Sequence, residues 1–249
     1  MSSIMGSFLQ MKISDPSADR LRDEREVLET LLPFEGADVL ELGCGKAEKT
    51  RAIASAGKVA SITAMEVDRI QHAANLRIAD LPKVTFVYGG AEAIPTPDAT
   101  FDIVLMLKSL HHVPLEKMDQ AMAEIRRVLR PDGLLYVSEP VFAGDYNEIM
   151  RLFHDERAVR EAAFACLRNA VTTGLFEMID EIFFDSENCF ESFEQFEARA
   201  LKVTHSDHRL SSELYDTVKR KFMSHVGPQG VRFRQPMRVD LLRRPPDRR

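Results

Sequence analysis

The stretch Val39-Leu-Glu-Leu-Gly-Cys-Gly-Lys-Ala-Glu48 decides the fold of this chain. Its apolar residues predict a buried strand that runs into a glycine turn and then a helix. Gly43 and Gly45 carry no side chain where the strand ends, so a ligand can lie against bare backbone. A second strand ends in a carboxylate, Glu66, 23 residues after Gly43. This order of elements predicts a nucleoside-binding half-fold, in which the acid takes the ribose hydroxyls.

The spacing of the glycines narrows the class of nucleoside. A dinucleotide fingerprint reads Gly-x-Gly-x-x-Gly, and its last glycine lies where the helix holds the diphosphate. Glu48 occupies that position here, and a carboxylate at a helix N-terminus repels a diphosphate. Gly45-Lys46-Ala47 also lacks the hydroxyl of a Walker phosphate loop. The turn therefore suits a nucleoside without phosphates, such as S-adenosylmethionine, and disfavours an NAD-dependent enzyme.

Five segments between Leu40 and about Pro140 resemble, in order, the motifs of the class I S-adenosylmethionine-dependent methyltransferases. They are Leu40-Glu-Leu-Gly-Cys-Gly45, Ala64-Met-Glu-Val-Asp68, Phe86-Val-Tyr-Gly-Gly-Ala-Glu-Ala-Ile-Pro95, residues 101–113 and residues 128–137. Within that family the chain looks most like the small-molecule group that includes the quinone-biosynthesis C-methyltransferases. The resemblance implies S-adenosyl-L-methionine as cofactor and a small-molecule methyl acceptor.

The resemblance also implies which residues bind the cofactor. They lie at the ends of the first, second and fourth predicted strands and in the loop after the third: Glu41, Gly43, Cys44, Gly45, Glu66, Val67, Gly90, Ala91, Glu92 and Leu107. Glu66 is expected to bind ribose, and the loop at 90–92 to lie over adenine. Glu41 either faces the methionine ammonium or holds the glycine loop. Gly90 stands where the family usually has an aspartate, so cofactor binding is weaker here, or Glu92 or water takes its place.

Polar residues follow the fourth and fifth predicted strands at the carboxyl edge of the sheet, where ligands bind in such folds. His111, His112 and Glu139 lie there, and His154 follows in the next helical segment. A histidine at this edge can act as a general base, and the alternative for each is a packing or capping role. These four residues are the candidate catalytic groups. Further candidates above the acceptor are Tyr146, Arg157, His205, His208 and Arg209. Arg157 is expected to share a helical face with His154.

Alternating strand and helix patterns predict an α/β, Rossmann-like, doubly wound sheet of about seven strands, mostly parallel with one antiparallel strand. The predicted strands include residues 38–42, 84–88, 101–107, 176–184 and 237–242, and a helix is predicted over residues 19–32. Residues 1–18 are expected to form a flexible N-terminal segment, and residues 19–249 a single methyltransferase domain. The helical material between about residues 143 and 230 exceeds what a bare core needs. It is expected to be a cap, inserted after the fifth strand, that selects the substrate.

The composition limits the partners that we expect. The net charge is −6, and eight acids with no lysine or arginine lie between Arg168 and Arg199, so nucleic-acid binding is disfavoured. The three separated cysteines show no metal-ligand spacing, and we expect no metal. No apolar run approaches the ~20 residues that span a membrane. We expect a cytoplasmic protein that is a monomer or a homodimer. Two alternative functions stay open: a non-catalytic cofactor-binding protein that acts as a regulatory partner, and an RNA methyltransferase.

Overall fold

The computed structural model describes residues 11–18, 20–202 and 208–247. The strands are β1 (Asp38–Leu42), β2 (Ser61–Glu66), β3 (Val84–Tyr88), β4 (Phe101–Leu107), β5 (Leu129–Pro140), β6 (Glu177–Phe190) and β7 (Val231–Arg243). The helices are α1 (Glu24–Leu31), α2 (Glu48–Ser55), α3 (Arg69–Asn75), α4 (Met118–Val128), α5 (Asp145–Met150), α6 (Arg157–Thr172), α7 (Phe193–Phe196) and α8 (Ser212–Met223). A short 3₁₀ turn, Leu110–His112, follows β4.

The strands of the described residues form one sheet in the order β3-β2-β1-β4-β5-β7-β6. Strands β1 to β5 pair in parallel, and β7 runs antiparallel to both of its neighbours. The predicted sheet of about seven strands, with one antiparallel, is therefore confirmed. The strand order reverses between β1 and β4, and this switch point is where open α/β sheets bind ligands.

Two apolar layers cover the faces of the sheet, and they arise from the two-residue period of the strands. Leu40 of β1 and Val104 of β4 lie in the layer beneath α4 and α6. Their neighbours Val39 and Ile103 lie in the opposite layer, together with Val27 of α1 and residues of α2. Among the described residues, no helix is both long enough and apolar enough to cross a membrane.

Three of the helices after β5 share a separate core, made largely of aromatic rings. It joins α5, α7 and α8 to the distal ends of β6 and β7, through Phe190, Phe193, Phe196, Phe222 and Phe233. The sequence predicted β6 and β7 too short, as 176–184 and 237–242. The antiparallel ladder continues as far as Phe190 and Val231, because pairing with β7 outweighs the weak strand propensity of Asp185-Ser-Glu-Asn188.

The beginning of the chain differs from the helix predicted over residues 19–32. Leu21 makes a β-bridge with Asp185, and α1 begins only after Asp23, whose carboxylate accepts a hydrogen bond from the amide of Arg25. Residues 1–10 of the predicted flexible segment lie outside the described residues. In its described part, Met11 is buried in the sheet layer and the amide of Lys12 donates to Glu181 at 2.8 Å.

Candidate active site

The glycine turn after β1 lies level with the ends of two neighbouring strands. Leu42 pairs with Met65 of β2 and with Met106 of β4, so Glu66 and Leu107 end their strands beside Gly43. The structure thus brings together the predicted cofactor residues of the first, second and fourth strands. They meet at the carboxyl edge of the sheet, at the topological switch point.

The two glycines of this turn are needed for different reasons. Gly43 has φ +78°, and a Cβ placed there would lie 2.7 Å from the Cβ of Ser109. The Ser109 hydroxyl donates to the carbonyl of Leu42 at 2.7 Å, so the exit of β4 packs directly on the turn. A Cβ at Gly45 would meet nothing within 4 Å. Gly43 therefore serves internal packing, whereas Gly45 is favoured by its left-handed backbone (φ +51°) and leaves open space beside its Cα.

Ala47, where the family usually has a third glycine, is buried and adopts φ +59°. For a residue with a Cβ, this left-handed conformation costs roughly 1–2 kcal/mol. The preference for glycine here therefore comes from backbone conformation, not from lack of space.

Glu66 links the glycine turn to the end of β2. One carboxylate oxygen accepts from the amide of Gly45 at 2.7 Å, and the other accepts from the amides of Val67 and Asp68, both at 2.8 Å. The residue is only 8% exposed. A carboxylate has about four lone-pair sites, so one remains for a ribose hydroxyl. Binding both hydroxyls would require one of the backbone bonds to open, and the ribose contact stays a prediction.

Asn75 at the end of α3 is a part of the turn that the sequence analysis missed. Its buried amide donates to the carbonyl of Gly45 at 2.7 Å and to the sulfur of Cys44 at 3.5 Å. Burial raises the pKa of Cys44 well above its usual range, so this thiol stays protonated and acts as a small apolar filler. Asp68 caps α3 through the amides of Ile70 and Gln71. Only the docking of α3 on the turn reveals the role of Asn75.

Glu41 lies beneath the glycine turn and is 2% exposed. Its carboxylate accepts a hydrogen bond from the hydroxyl of Thr50 in α2 at 2.6 Å. Burial raises the pKa of Glu41 to about 7, the nearby carboxylates of Glu24 and Glu66 add to this, and Thr50 and Lys49 oppose it. The hydrogen bond joins β1 to α2, which supports the role of holding the loop. Contact with a methionine ammonium stays a prediction.

Glu41 makes the stability of the protein depend on pH. Its pKa rises from 4.5 to about 7 on folding, so the folded chain holds this proton more tightly than the unfolded chain does. The contribution is complete below pH 4.5 and is lost as pH rises through 7, about 3 kcal/mol in all. In Glu41→Gln, whose amide oxygen can still accept from Thr50, this decline should disappear. Urea unfolding between pH 5 and 8 measures it, and equal slopes in the two proteins would contradict the assignment.

In the loop that is expected to lie over adenine, the side chain of Glu92 folds back towards Gly90. The carboxylate of Glu92 lies in the space that a Cβ at Gly90 would occupy, and Lys117 binds its other side at 3.2 Å. Glu92 therefore stands where the usual aspartate side chain of the family would project, which favours the interpretation that Glu92 replaces it. Ala91 in this loop is buried, whereas Val67 at the exit of β2 is 58% exposed. An aspartate introduced at position 90 would collide with Glu92.

His111 lies between two carboxylates at the exit of β4. Its Nδ1 bonds to Glu139 of β5, its Nε2 lies 3.6 Å from Glu156, and the side chains of His111 and Glu139 are each 3% exposed. Burial by itself would lower the pKa of His111, but the two carboxylates raise it to about 9. The imidazole is therefore protonated at neutral pH and has no free lone pair. This favours the packing alternative over the general-base role.

Glu156 is the centre of this cluster, and the sequence analysis passed over it. It accepts from His154 at 2.9 Å and from Arg160 at 2.6 Å. Burial would raise its pKa, but His111, His154 and Arg160 hold it well below the usual range. The exposed ring of His112 lies 4.1 Å from that of His111, centroid to centroid. The four candidate catalytic residues therefore do meet, around an unpredicted acid.

The other predicted residues above the acceptor fall in several places. Tyr146 packs in the aromatic core of the cap. Arg157 begins α6 and lies over the ring of Phe142 at 4.3 Å, so it shares no helical face with His154, which precedes the helix. The ring of His208 lies 4.8 Å from that of His154. Arg209 is exposed, and His205 lies outside the described residues.

Comparison with known proteins agrees with this geometry. Residues 40–137 match the family described as methyltransferase domain. The chain is 35% identical over 130 residues to 27-O-demethylrifamycin SV methyltransferase of Amycolatopsis mediterranei, covering 50% of this chain and 46% of the relative. It is 31% identical over 132 residues to phthiotriol/phenolphthiotriol dimycocerosates methyltransferase 1 of Mycobacterium ulcerans, covering 53% and 48%. The chain thus spans about half the length of these curated relatives.

The fold as a whole matches solved structures. The YcgJ protein of Bacillus subtilis superimposes with a TM-score of 0.65 at 16% identity, over 90% of this chain and 98% of that one. At this identity the likeness concerns the fold. The family match lies on the same β1 to β5 segment that carries the glycine turn and the acid ends of the strands. The match to a methyltransferase domain thus covers the part of this chain that holds the candidate cofactor site.

Proposed function

We propose that this chain transfers a methyl group from S-adenosylmethionine to a small-molecule acceptor. The observation that carries the proposal is the carboxylate of Glu66, which accepts from the amide of Gly45 beside open space at this glycine and is followed in the chain by the exposed apolar side chain of Val67. The two curated relatives are named as methyltransferases of small molecules. Both observations support transfer to such an acceptor.

The donor set around the turn fits a nucleoside without phosphates. Glu66 offers a lone pair to a ribose hydroxyl, and Val67 and Leu107 offer apolar surface to adenine. The Glu92 carboxylate beside Gly90 would accept a hydrogen bond from the adenine amine. When bound, the cofactor supplies a methyl group that is already activated on a sulfonium. The task left to the protein is to orient the acceptor and to exclude water, which can provide most of the acceleration.

The acceptor is expected between the ends of β4 and β5, beneath α5 and α6. His111 is held protonated there, so a base, where the acceptor must lose a proton, has to be one of the more accessible histidines. His154 is 31% exposed and lies 2.9 Å through Nε2 from Glu156. If Nε2 donates to that carboxylate, Nδ1 keeps the lone pair that a base requires. His154 is therefore the residue that we propose as base, with His112 beside it.

The first test is binding of S-adenosylhomocysteine. Ligand at 100 times its dissociation constant should stabilise the protein by about 2.7 kcal/mol. For a chain of this size, that raises the melting temperature by roughly 5–10 °C. NAD at the same concentration should produce no shift, because Glu48 begins α2 where a diphosphate would lie. The proposed cofactor would be rejected if only NAD raised the melting temperature, or if neither ligand did.

Turnover separates an enzyme from a protein that only binds the cofactor. Labelled S-adenosylmethionine incubated with a metabolite extract should transfer label to a small molecule and yield S-adenosylhomocysteine. Binding without transfer in any extract would favour the regulatory alternative, and label in RNA the RNA methyltransferase. A cytoplasmic location and a monomeric or homodimeric state belong to the same proposal. Cell fractionation and light scattering measure them.

A further inference from the structure

We propose that His111, His112 and Glu156 bind a divalent transition metal of the zinc class beside the acceptor face. Each residue offers one ligand atom, and these three atoms all lie within 4.8 Å of one another. Two imidazoles and a carboxylate are donors that Zn²⁺ and its neighbours accept readily. The proposal goes beyond the proposed methyl transfer, which requires no metal. It also departs from the sequence analysis, which considered only the spacing of cysteines and histidines along the chain.

One distance within the cluster matches shared coordination better than direct pairing. Nε2 of His111 and Oε1 of Glu156 are 3.6 Å apart, which is long for a hydrogen bond between charged groups. Two ligands bound at about 2.0–2.1 Å to one tetrahedral zinc ion lie about 3.4 Å apart. The two atoms are therefore already close to the separation that a metal between them would require.

The groups behind the ligands are arranged as they are in metal sites. A histidine that binds metal through one ring nitrogen usually donates the other to a carboxylate, which fixes the ring. Nδ1 of His111 bonds to Glu139, and Glu139 is held in turn by the amide of Leu110 at 2.9 Å. The second oxygen of Glu156 accepts from Arg160 at 2.6 Å. Two of the three ligands are thus oriented before any metal binds.

The cluster has one closed side and one open side. His111 is buried, Glu156 is mostly buried, and His112 is exposed. On the open side, Nε2 of His154 lies 2.9 Å from the same oxygen of Glu156. A metal entering from this side would replace the proton on Nε2 of His111. Its fourth position would go to water or to an oxygen of the acceptor, which is the arrangement of a catalytic site and not of a closed structural one.

Metal content and cobalt spectra test the proposal without any assay of activity. The full chain, treated with chelator and dialysed, is loaded with zinc and passed through gel filtration. We expect one zinc per chain by elemental analysis, and Co²⁺ in its place should show the visible bands of a tetrahedral site. His112→Ala removes an exposed ligand without disturbing the buried pair, and it should weaken zinc binding at least 10-fold, the lower end of the loss seen for supporting residues.

His225→Ala serves as the matched control, since His225 is a partly exposed histidine near a carboxylate, Asp145, outside the cluster. It should retain one zinc. Glu156→Gln is a second ligand variant, and circular dichroism shows whether it folds. A chain that retains no zinc, or equal zinc affinity in the His112→Ala and control proteins, would overturn the proposal. Either result leaves the thermal shift with S-adenosylhomocysteine unaffected, so the two proposals can fail separately.

Discussion

Replacing Glu139 by alanine is expected to destabilise the protein by about 3–5 kcal/mol, the usual loss when one partner of a buried ion pair is removed. Glu139 and His111 are each 3% exposed and bonded to each other. Without the carboxylate, the imidazolium would remain in a buried site with only Glu156 at 3.6 Å. The amide of Leu110 would also lose its acceptor. Urea unfolding at pH 7 measures the change.

A double variant separates the loss of charge from the loss of packing. Replacing both partners, as in His111→Leu with Glu139→Met, removes the uncompensated charge and should recover much of the stability, because apolar residues often replace buried pairs at little cost. His112→Ala, which leaves the pair intact, is the single-residue comparison and should cost far less. A loss below about 1 kcal/mol in Glu139→Ala would mean that the bond joins neutral groups.

Replacing Glu66 by alanine is expected to weaken S-adenosylhomocysteine binding by about 1.5–3 kcal/mol, or roughly 10- to 150-fold. Two effects add. The ribose loses a charged acceptor, and the glycine turn loses the bond from the amide of Gly45. Titration calorimetry measures the affinity, and unfolding measured alongside shows how much of the protein remains folded.

Two variants make the Glu66 experiment specific. Glu66→Gln keeps one acceptor oxygen but no charge, so its affinity should fall between those of the wild type and Glu66→Ala. Asp68→Ala removes the cap of α3, which costs about 1 kcal/mol of stability, and should leave the affinity within a few-fold. If Glu66→Ala binds with unchanged affinity, the ribose lies elsewhere and the proposed cofactor site is wrong.

The local parts of the fold could be read from the sequence because their causes are local. Strands β1, β3 and β4 were predicted with the bounds that the structure has, since each is a short apolar or alternating run between turn residues. The long strands β6 and β7 were not, because Asp185-Ser-Glu-Asn188 has weak strand propensity and Pro236 interrupts the alternating run Val231-Arg-Phe-Arg-Gln235. Pairing of the two strands with each other carries the ladder through both segments.

The contacts that explain individual residues could be identified only from the tertiary structure. Gly43 was expected to be small so that the cofactor could fit, but the side chain of Ser109 packs against it. Gly90 was expected either to weaken cofactor binding or to be compensated by Glu92 or water, and the structure places the Glu92 carboxylate in the space beside it. The contact of Ser109 with Gly43 comes from a direction that sequence spacing does not show. The roles of these residues in cofactor binding stay predictions.

The sequence by itself determined the fold class and which strand ends meet at the edge that holds the candidate site, because hydrophobic period, turn residues and chain order establish that arrangement. Tertiary structure alone decided the charge pairing. His111, Glu139 and Glu156 come from the exit of β4, the end of β5 and the residue before α6, and they meet because those elements pack together. The ionisation of a buried group depends on burial and on the nearest charges, and both arise only when the chain has folded.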